Sequence, residues 1–211
     1  MLQPDDLRLP DRYTLFAGAD TGTYMGGIIA AISSDAEAFI LEEFPNYRYV
    51  GGEIELLGLS LSEWAYGFRQ AWARYTRKDR VFAWADQNTQ FRAELLHHGI
   101  VLAGNPRGPE VRVEISREYF QQRQIHLTPW LKILPYEIEH ARWPDEMTSA
   151  GKYERLKVND HTLVSMEHIL SRRPRSPKRY DAPKPSFLDQ MLAQHQRPDR
   201  QPGRDIHLGA M

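Results

Sequence analysis

Two short apolar stretches of this chain each end in a carboxylate. Residues 13–19 lead into Asp20, which a turn follows at once, and residues 81–85 lead into Asp86. Near-continuous apolar runs bounded by turn residues are typical of buried strands. An ionised carboxylate at such a position is costly unless it is paired or holds a metal. Both residues are therefore candidates for catalysis or metal binding.

A third acidic residue, Asp160, precedes a stretch with apolar residues at helical spacing, and it is well placed to cap that helix. If the strands at 13–20 and 81–85 are parallel neighbours, Asp20 and Asp86 emerge at the same edge of the sheet. That edge is where open α/β sheets bind ligands. A helix that packs back onto the sheet would bring Asp160 to the same place.

Three clustered carboxylates repel one another, and a pair of divalent ions would resolve the repulsion. Oxygen-only ligands favour Mg²⁺ or Mn²⁺ over Zn²⁺. Two such ions roughly 4 Å apart would support hydrolysis of a phosphodiester, by activating water and stabilising the leaving oxygen. The alternative is that Asp20, Asp86 and Asp160 are a turn residue, a strand-end residue and a cap, each with a structural role only.

The elements that position these residues follow from the apolar patterns. We expect strands near 13–20, 24–32, 36–44, 81–85 and 100–103, with the first central, the first three antiparallel and the fourth parallel to the first. Residues 45–59, which contain three glycines, are predicted to be irregular. The fold class is therefore α/β, with a mixed sheet flanked by helices.

Helices are predicted from capping signals. Ser60 and Glu63 form a capping-box pattern before an aromatic stripe at helical spacing, and Gly99 is expected to stop a short helix that begins near residue 88 or 89. Pro109 is expected to open another helix, and Pro135 one that runs through residue 143. The last helix follows Asp160.

Composition divides the 211 residues into three parts. Residues 1–12 are a polar lead-in, residues 13–171 form one domain, and residues 172–211 carry nine of the 27 Lys and Arg residues, but only four of the 28 Asp and Glu residues. With six prolines and few apolar side chains, this basic segment is predicted to be a disordered tail. It could contact nucleic acid by counterion release.

Cysteine is absent, no stretch has the length of a membrane span, and the N-terminus lacks the pattern of a secretory signal. These features fit a reducing compartment, and they exclude disulfides and thiolate metal sites. Within a charged segment at 144–157, Lys152, Arg155 and Lys157 are candidates for substrate contact.

Four ordered segments carry a resemblance to a known family. The segment GADTG at 18–22 resembles an opening Gly-x-Asp-x-Gly motif, and ADQN at 85–88, with LLHHGI at 95–100 behind it, resembles a second acidic strand end. YEIEHARW at 136–143 resembles a Glu-containing helix with a trailing aromatic, and NDHTLV at 159–164 resembles Asp-His-x-x-Asp-Ala. Together they resemble the nuclease domain of tailed-bacteriophage large terminase subunits, in the ribonuclease H-like superfamily.

The resemblance covers about residues 13–171 and departs from the pattern at Val164, where the family has its second Asp. It implies a five-stranded mixed sheet and metal-dependent endonucleolytic cleavage of concatemeric double-stranded viral DNA during genome packaging. The implied ligands are Asp20, Asp86 and Asp160, which would hold two Mg²⁺ or Mn²⁺ ions. The implied location is the host cell cytoplasm.

Partners also follow from the resemblance: double-stranded DNA, an ATPase motor, the portal and the small terminase. The sequence has no Gly-x-x-x-x-Gly-Lys-Ser/Thr motif, so the motor is expected on a separate chain or segment. Another ribonuclease H-like nuclease, such as a junction resolvase, is the nearest alternative. A non-catalytic module that docks the motor or grips DNA is the alternative from another class.

Overall fold

A six-stranded mixed sheet forms the middle of the domain that the structure describes. The computed structural model describes residues 9, 12–77, 80–86, 91–141 and 160–172. The strands of the sheet, in chain order together with those of a separate hairpin, are β1 (Tyr13–Asp20), β2 (Gly26–Ser33), β3 (Ala38–Glu43), β4 (Tyr47–Val50), β5 (Glu53–Leu56), β6 (Val81–Ala85), β7 (Ile100–Gly104) and β8 (Ile125–Leu127). The order across the sheet is β7-β6-β1-β2-β3-β8, and β4 and β5 form the hairpin.

The strand pairing confirms the predicted topology. β1 is antiparallel to β2, and β2 to β3, whereas β6 is parallel to both β1 and β7. β1 lies in the interior of the sheet, as expected for its apolar sequence. The difference from the expected five strands is β8, a three-residue edge strand parallel to β3. The mixed sheet flanked by helices is confirmed, with this sixth strand added at one edge.

Helices cover both faces of the sheet. They are α1 (Leu61–Ala73), α2 (Arg92–His97), α3 (Pro109–Gln121), α4 (Ile133–His140) and α5 (His161–Leu170). α1 and α2 pack on one face around Trp64, Phe68 and Leu95. α3, α4 and α5 pack on the other, around Leu134, Met166 and Ile169 among others. The sheet is thus the middle layer of three.

Local sequence signals set the helix ends. The Ser60 hydroxyl accepts a hydrogen bond from Glu63 N, and the Glu63 carboxylate accepts one from Ser60 N, so the predicted capping box is present. Pro109 begins α3, and Gly99, with φ of +79°, ends the turn after α2. α4 begins two residues before Pro135 and ends at His140, so the predicted extent of this helix was wrong at both ends.

The predicted irregular segment at 45–59 was also wrong, because it contains the β4-β5 hairpin. Gly51 and Gly52 form its turn, and both have positive φ, of +60° and +89°. Two central residues with positive φ match the right-handed twist of the flanking strands, which is why Gly-Gly is a hairpin signal. An ion pair between Arg48 and Glu55 joins the two strands.

α5 lies against the sheet through backbone contact. A Cβ atom at Gly18 would stand 2.0 Å from the carbonyl oxygen of Ser165, and one at Gly26 would stand 2.5 Å from that of His161. No side chain fits at either position, so glycine on β1 and β2 lets the helix approach closely. The Ser165 hydroxyl donates to the carbonyl of Gly26 at 3.0 Å and fixes the contact.

Several predictions concern residues outside the described ranges. These are most of the lead-in at 1–12, the segment at 144–157 with Lys152, Arg155 and Lys157, and the tail beyond residue 172. The predicted start of the short helix near residue 88 or 89 was wrong, because α2 begins at Arg92 and Phe91, with a φ of +62°, is its N-cap. Within the described ranges, none of the helices has the length and apolar character needed to cross a membrane.

Candidate active site

The first two candidate carboxylates lie on adjacent parallel strands, at the same edge of the sheet. Ala17 pairs with Ala83 and Gly18 with Trp84 between β1 and β6. Continuing that register by two residues places Asp20 beside Asp86. Parallel strands present their carboxyl ends together, at the edge where α/β sheets bind ligands. The register of β1 and β6 therefore directs both residues to this edge, and their shared role in a site stays a prediction.

The Asp20 carboxylate is held by a histidine of α5. Oδ2 of Asp20 lies 2.7 Å from Nδ1 of His161, and both side chains are about one-quarter exposed. The ring of Tyr24 stacks on the His161 imidazole at 5.6 Å. Burial lowers the pKa of His161, but the hydrogen bond and charge of Asp20, aided by Glu137 and Asp160, raise it overall. The Asp20–His161 pair thus favours the protonated form of His161.

The Asp86 carboxylate is held by a buried arginine. Nη1 of Arg112, in the first turn of α3, donates to Oδ1 of Asp86 at 2.6 Å. The Arg112 side chain is 4% exposed, whereas that of Asp86 is 55% exposed. A second group, Nε2 of the fully buried His168, lies 3.6 Å from the same oxygen. Arg112 therefore holds Asp86 from its buried side, and His168 lies behind it at a distance longer than a hydrogen bond.

His168 is a neutral group. Burial first, and the charge of Arg112 second, lower the pKa of His168 to about 4, against the opposing effect of Asp86. Nδ2 of Asn105 lies 3.3 Å from Nδ1 of His168. An amide nitrogen is a donor only, so Nδ1 accepts, and the single ring proton lies on Nε2, facing Asp86.

Asp160 occupies the N-cap position of α5, as predicted, but its side chain makes no capping hydrogen bond. Its carbonyl oxygen accepts the first helical hydrogen bond, from Val164 N at 2.8 Å. The side chain is buried, and its charge raises the pKa values of His161 and Tyr49. Asp160 is thus electrostatically coupled to the Asp20–His161 pair.

Glu137 of α4 takes over the capping role at α5. Its Oε2 accepts from Leu163 N at 2.8 Å and from the Thr162 hydroxyl at 2.5 Å, and its Oε1 accepts from the hydroxyls of Tyr47 and Tyr49. Burial raises the pKa of Glu137 to about 7, against the hydrogen bonds from Thr162, Tyr47 and Leu163. One carboxylate therefore joins the hairpin, α4 and the start of α5.

The carboxylates fit a hydrated, hard divalent ion better than a closed metal site. Among the residues that the structure describes, no three His, Asp or Glu side chains are grouped closely enough to hold a metal by themselves. Mg²⁺, however, usually keeps several waters and takes only one or two carboxylates, with substrate phosphates completing its shell. Asp20 and Asp86 supply that donor set at an exposed strand edge.

The sequence reasoning found the strand-end carboxylates but missed the groups that hold them. His161 and Arg112 carry these contacts, and His168 and Asn105 lie behind Asp86. The only signal was the seven-residue spacing of the two histidines, which puts both on one face of α5, two turns apart. Arg112 had no local signal, because its contact with Asp86 depends on how α3 packs. The repulsion between the Asp20 and Asp86 carboxylates is also weaker than expected, because His161 hydrogen-bonds to the first and Arg112 to the second.

The chain is similar to solved structures of known proteins, but its sequence matches no family model and no curated protein. The large terminase of the thermophilic bacteriophage D6E matches with a TM-score of 0.60 and 16% identity, over 78% of this chain and 41% of that one. The chain thus spans about two-fifths of that terminase.

Isolated nuclease domains match over most of their length. The large terminase nuclease of thermophilic phage G20c matches with a TM-score of 0.56 and 16% identity, over 77% of this chain and 83% of that one. A second structure of that nuclease, with bound cobalt, matches with a TM-score of 0.52 and 15% identity, over 76% and 81% of the two chains. This chain therefore has the ribonuclease H-like fold of phage large terminase nuclease domains, as its ordered motifs predict.

Proposed function

We propose that this protein is a divalent-metal-dependent endonuclease that hydrolyses phosphodiester bonds of double-stranded viral DNA during genome packaging. The observation that carries the proposal is the placement of Asp20 and Asp86 side by side at the ends of adjacent parallel strands, within a terminase nuclease fold. In its full form, the proposal has two Mg²⁺ or Mn²⁺ ions held by Asp20, Asp86 and Asp160. When bound, such ions supply an activated water and stabilise the leaving oxygen.

The residues around the carboxylates have defined roles in this proposal. His161 holds Oδ2 of Asp20, and Arg112 holds Oδ1 of Asp86, so each carboxylate has a fixed orientation before DNA arrives. Preorganised ligands lower the free energy needed to assemble the reactive geometry. Lys152, Arg155 and Lys157, which lie outside the described residues, remain the proposed contacts to the DNA backbone.

One proposed partner is supported by the matched proteins. The D6E large terminase has been solved in complex with ATP-gamma-S and with ADP, and this chain spans only about two-fifths of the D6E chain, so we propose that an ATPase motor acts with it. The portal and the small terminase are proposed from the resemblance of the sequence motifs alone. The cobalt bound to the G20c nuclease supports the use of a divalent ion here.

Cleavage of supercoiled plasmid tests the proposal. We expect nicking and linearisation with Mn²⁺ or Mg²⁺ and none with EDTA. Asp20→Asn and Asp86→Asn should each lower the rate about 100-fold or more, equivalent to about 2.7 kcal/mol of transition-state stabilisation. Asp160→Asn tests the third ligand separately. Asp35→Asn, at an exposed turn, is the matched control and should keep the full rate.

Two alternatives give different results in the same assay. A junction resolvase would cleave four-way DNA in preference to linear duplex. A non-catalytic docking module would cleave neither substrate with any of the ions. Cleavage that persists in EDTA, or at the full rate in Asp20→Asn or Asp86→Asn, would refute the proposed site.

A further inference from the structure

Two arginines lie near Asp86, at the end of the sheet edge formed by β6 and β7. Arg107 belongs to the loop that follows β7, and Arg172 follows the end of α5. Because Ala85 pairs with Gly104 in the parallel β6-β7 pair, the loop after β7 leaves the sheet at the same edge as Asp86. Both arginines are partly exposed, so a ligand that approaches Asp86 can also reach them.

The backbone of Arg107 is fixed on both sides. Its N–H donates to Oδ1 of Asn105 at 3.1 Å, and its carbonyl accepts from Nη1 of Arg112 at 3.2 Å. The same Nη1 donates to Oδ1 of Asp86 at 2.6 Å, so one nitrogen atom links the loop to the carboxylate. The prolines that precede Arg107 and open α3 restrict the loop further, because proline fixes φ.

Arg172 is held by an aromatic ring. Its guanidinium carbon lies 4.1 Å from the centre of the Trp84 ring. Trp84 precedes Asp86 by two residues, and side chains alternate between the faces of a strand, so Trp84 and Asp86 lie on the same face of the sheet. A guanidinium that stacks on a ring presents its planar fork of N–H groups in a fixed orientation, which suits bidentate recognition of a phosphate.

Asn105 connects the two arginines. Its side chain is buried, and besides accepting from Arg107 N it donates to the hydroxyl of Ser171, the residue before Arg172, at 2.7 Å. The N–H of Asn105 donates at 2.7 Å to the carbonyl of the residue before Asp86. One side chain therefore sets the positions of both arginines relative to Asp86.

Neither guanidinium is neutralised in the part of the chain that the structure describes. Within those ranges, no carboxylate forms an ion pair with Arg107 or Arg172, and the Arg107 side chain makes no hydrogen bond. Arg112, the third guanidinium here, is already paired with Asp86. Arg107 and Arg172 therefore leave positive charge available to an anionic ligand.

The other end of the same edge is acidic. β3 runs in the direction of β1, because each is antiparallel to β2, and it ends at Glu43. Glu137 and Asp160 lie close enough to His161 to raise its pKa. Lys132 lies on that side too, directly beside Glu43. A polyanion is therefore attracted to the β6-β7 end of the edge and repelled from the β3 end.

We propose that Arg107 and Arg172 bind backbone phosphates of duplex DNA, so that DNA reaches Asp86 from the β6-β7 end of the sheet edge. This inference rests on the proposed function for the identity of the ligand, but binding through these residues requires no metal. Each phosphate that an arginine neutralises releases counterions from the DNA, which makes the affinity depend on salt.

Binding of a fluorescein-labelled duplex to the full 211-residue chain, followed by fluorescence anisotropy in EDTA, tests the inference. EDTA removes divalent ions, so neither cleavage nor metal binding enters the result. We expect Arg107→Gln and Arg172→Gln each to weaken binding about tenfold at low salt. The slope of log affinity against log salt should fall by about 0.9 in each variant, as for one lost phosphate contact.

Arg80→Gln is the matched control. Arg80 is exposed and immediately precedes β6, so it lies at the opposite edge of the sheet from Asp86. Its substitution removes the same charge and should leave the affinity and the slope at the wild-type values. Residues 173–211 are the same in all these variants, so their contribution to binding cancels.

Further variants separate binding from folding. The Arg107 side chain makes no hydrogen bond within the described ranges, so Arg107→Gln should melt as the wild type does, and Arg107→Glu should bind still more weakly. Arg172→Lys keeps the charge but lacks the planar fork, and its affinity should lie between those of the wild type and Arg172→Gln. It replaces Arg172→Gln if that variant melts below the assay temperature.

Competition with ATP identifies the source of the phosphate, because a free nucleotide offers the same chemistry as the DNA backbone. ATP should displace the duplex no more than sodium chloride of equal ionic strength does. Stronger displacement by ATP in the wild type, lost in Arg107→Gln and Arg172→Gln, would overturn the assignment to DNA.

Failure of the inference and failure of the proposed function are distinguishable. If the wild-type chain binds no duplex, or if both Gln variants keep the affinity and slope of Arg80→Gln, the inference is wrong, and plasmid cleavage with Mn²⁺ still decides the proposed function. If the wild-type chain cleaves no plasmid but loses duplex binding in both variants, the phosphate contacts stand and the nuclease does not.

Discussion

At the scale of single residues, the candidate site is defined by carboxylates that each face a basic side chain. Asp86 faces the buried guanidinium of Arg112, and Asp20 faces His161. A guanidinium in the protein interior is costly without a counter-charge, even when its partner is partly exposed. Asp86 therefore stabilises the fold in addition to its proposed catalytic role.

Clustered carboxylates alone predict that removing one charge stabilises the metal-free protein. The Arg112 contact predicts the opposite for Asp86→Asn: a loss of about 1–2 kcal/mol of unfolding free energy, because the buried guanidinium loses its counter-charge. Chemical denaturation in EDTA measures this loss. Because the Asp86 side chain is more than half exposed, this loss of unfolding free energy should be smaller than that measured for a fully buried ion pair.

A double-mutant cycle supplies the control for this prediction. In an Arg112→Met background, Asp86→Asn should lower the unfolding free energy much less, because the guanidinium that Asp86 neutralises has already been removed. Equal costs in both backgrounds, or a more stable Asp86→Asn protein, would show that the ion pair contributes nothing to the fold.

At the scale of elements, α5 is the helix on which the site depends. It presents His161 to Asp20 and His168 to Asp86, and Glu137 of α4 satisfies its first turn. The ends of β1 and β6 could be predicted from their apolar runs, because strand burial and strand-end chemistry are local signals. The replacement of Asp160 by Glu137 as the cap could not, because it depends on where α4 packs.

Stability should depend on pH through Glu137. Its pKa is about 7 in the folded protein and about 4.5 when unfolded. A carboxyl whose pKa is raised by folding stabilises the protein fully below the unfolded value, and that contribution is lost as the pH rises through the folded value. As the pH rises from 4.5 to 7, the unfolding free energy of the wild-type chain should therefore fall by up to about 3 kcal/mol relative to that of Glu137→Gln.

Urea denaturation of both proteins across this pH range measures the difference. Glu139→Gln, at an exposed position of the same helix, is the matched control and should follow the wild-type curve. A wild-type protein that gains stability relative to Glu137→Gln over the same window would mean that the four donors outweigh burial and keep the carboxylate ionised.

At the scale of the whole molecule, the predictable part is the sheet, and the unpredictable part is the packing between its layers. Strands β1, β2, β3, β6 and β7 were predicted from alternating and continuous apolar runs in the sequence. The same pattern did not predict β8, which has only three residues, or the β4-β5 hairpin, for which the Gly51-Gly52 pair is the turn signal. Side chains such as Arg112 and Asn105 act across layers, where sequence spacing gives no information.

The basic segment at 172–211 is the proposed nucleic-acid-binding tail. Arg172 lies over the ring of Trp84 at 4.1 Å, so a truncated chain should end after this residue rather than before it. Deleting residues 173–211 removes eight of the 27 Lys and Arg residues. We expect an unchanged melting temperature, weaker binding to duplex DNA, and a salt dependence whose slope falls by about 0.9 for each phosphate that the shortened chain no longer neutralises.

Fluorescence anisotropy at several salt concentrations measures this slope. A full-length chain with Lys178, Arg179 and Lys184 changed to Gln is the control for charge at constant length, and its slope should lie between the other two. A large fall in melting temperature on truncation would show instead that the segment packs against the domain.

The glycines beneath α5 have a consequence for how the site can move. Because helix backbone touches strand backbone at Gly18 and Gly26, no layer of side chains separates the two elements. Side-chain layers absorb small displacements by changing rotamers, and here that compliance is absent. A shift of β1 should therefore carry α5 with it, and the distance from His161 to Asp20 should change little. Asp86 follows β6, which lacks this contact, so movement of β6 relative to β1 is the route by which the spacing of the two carboxylates could be adjusted.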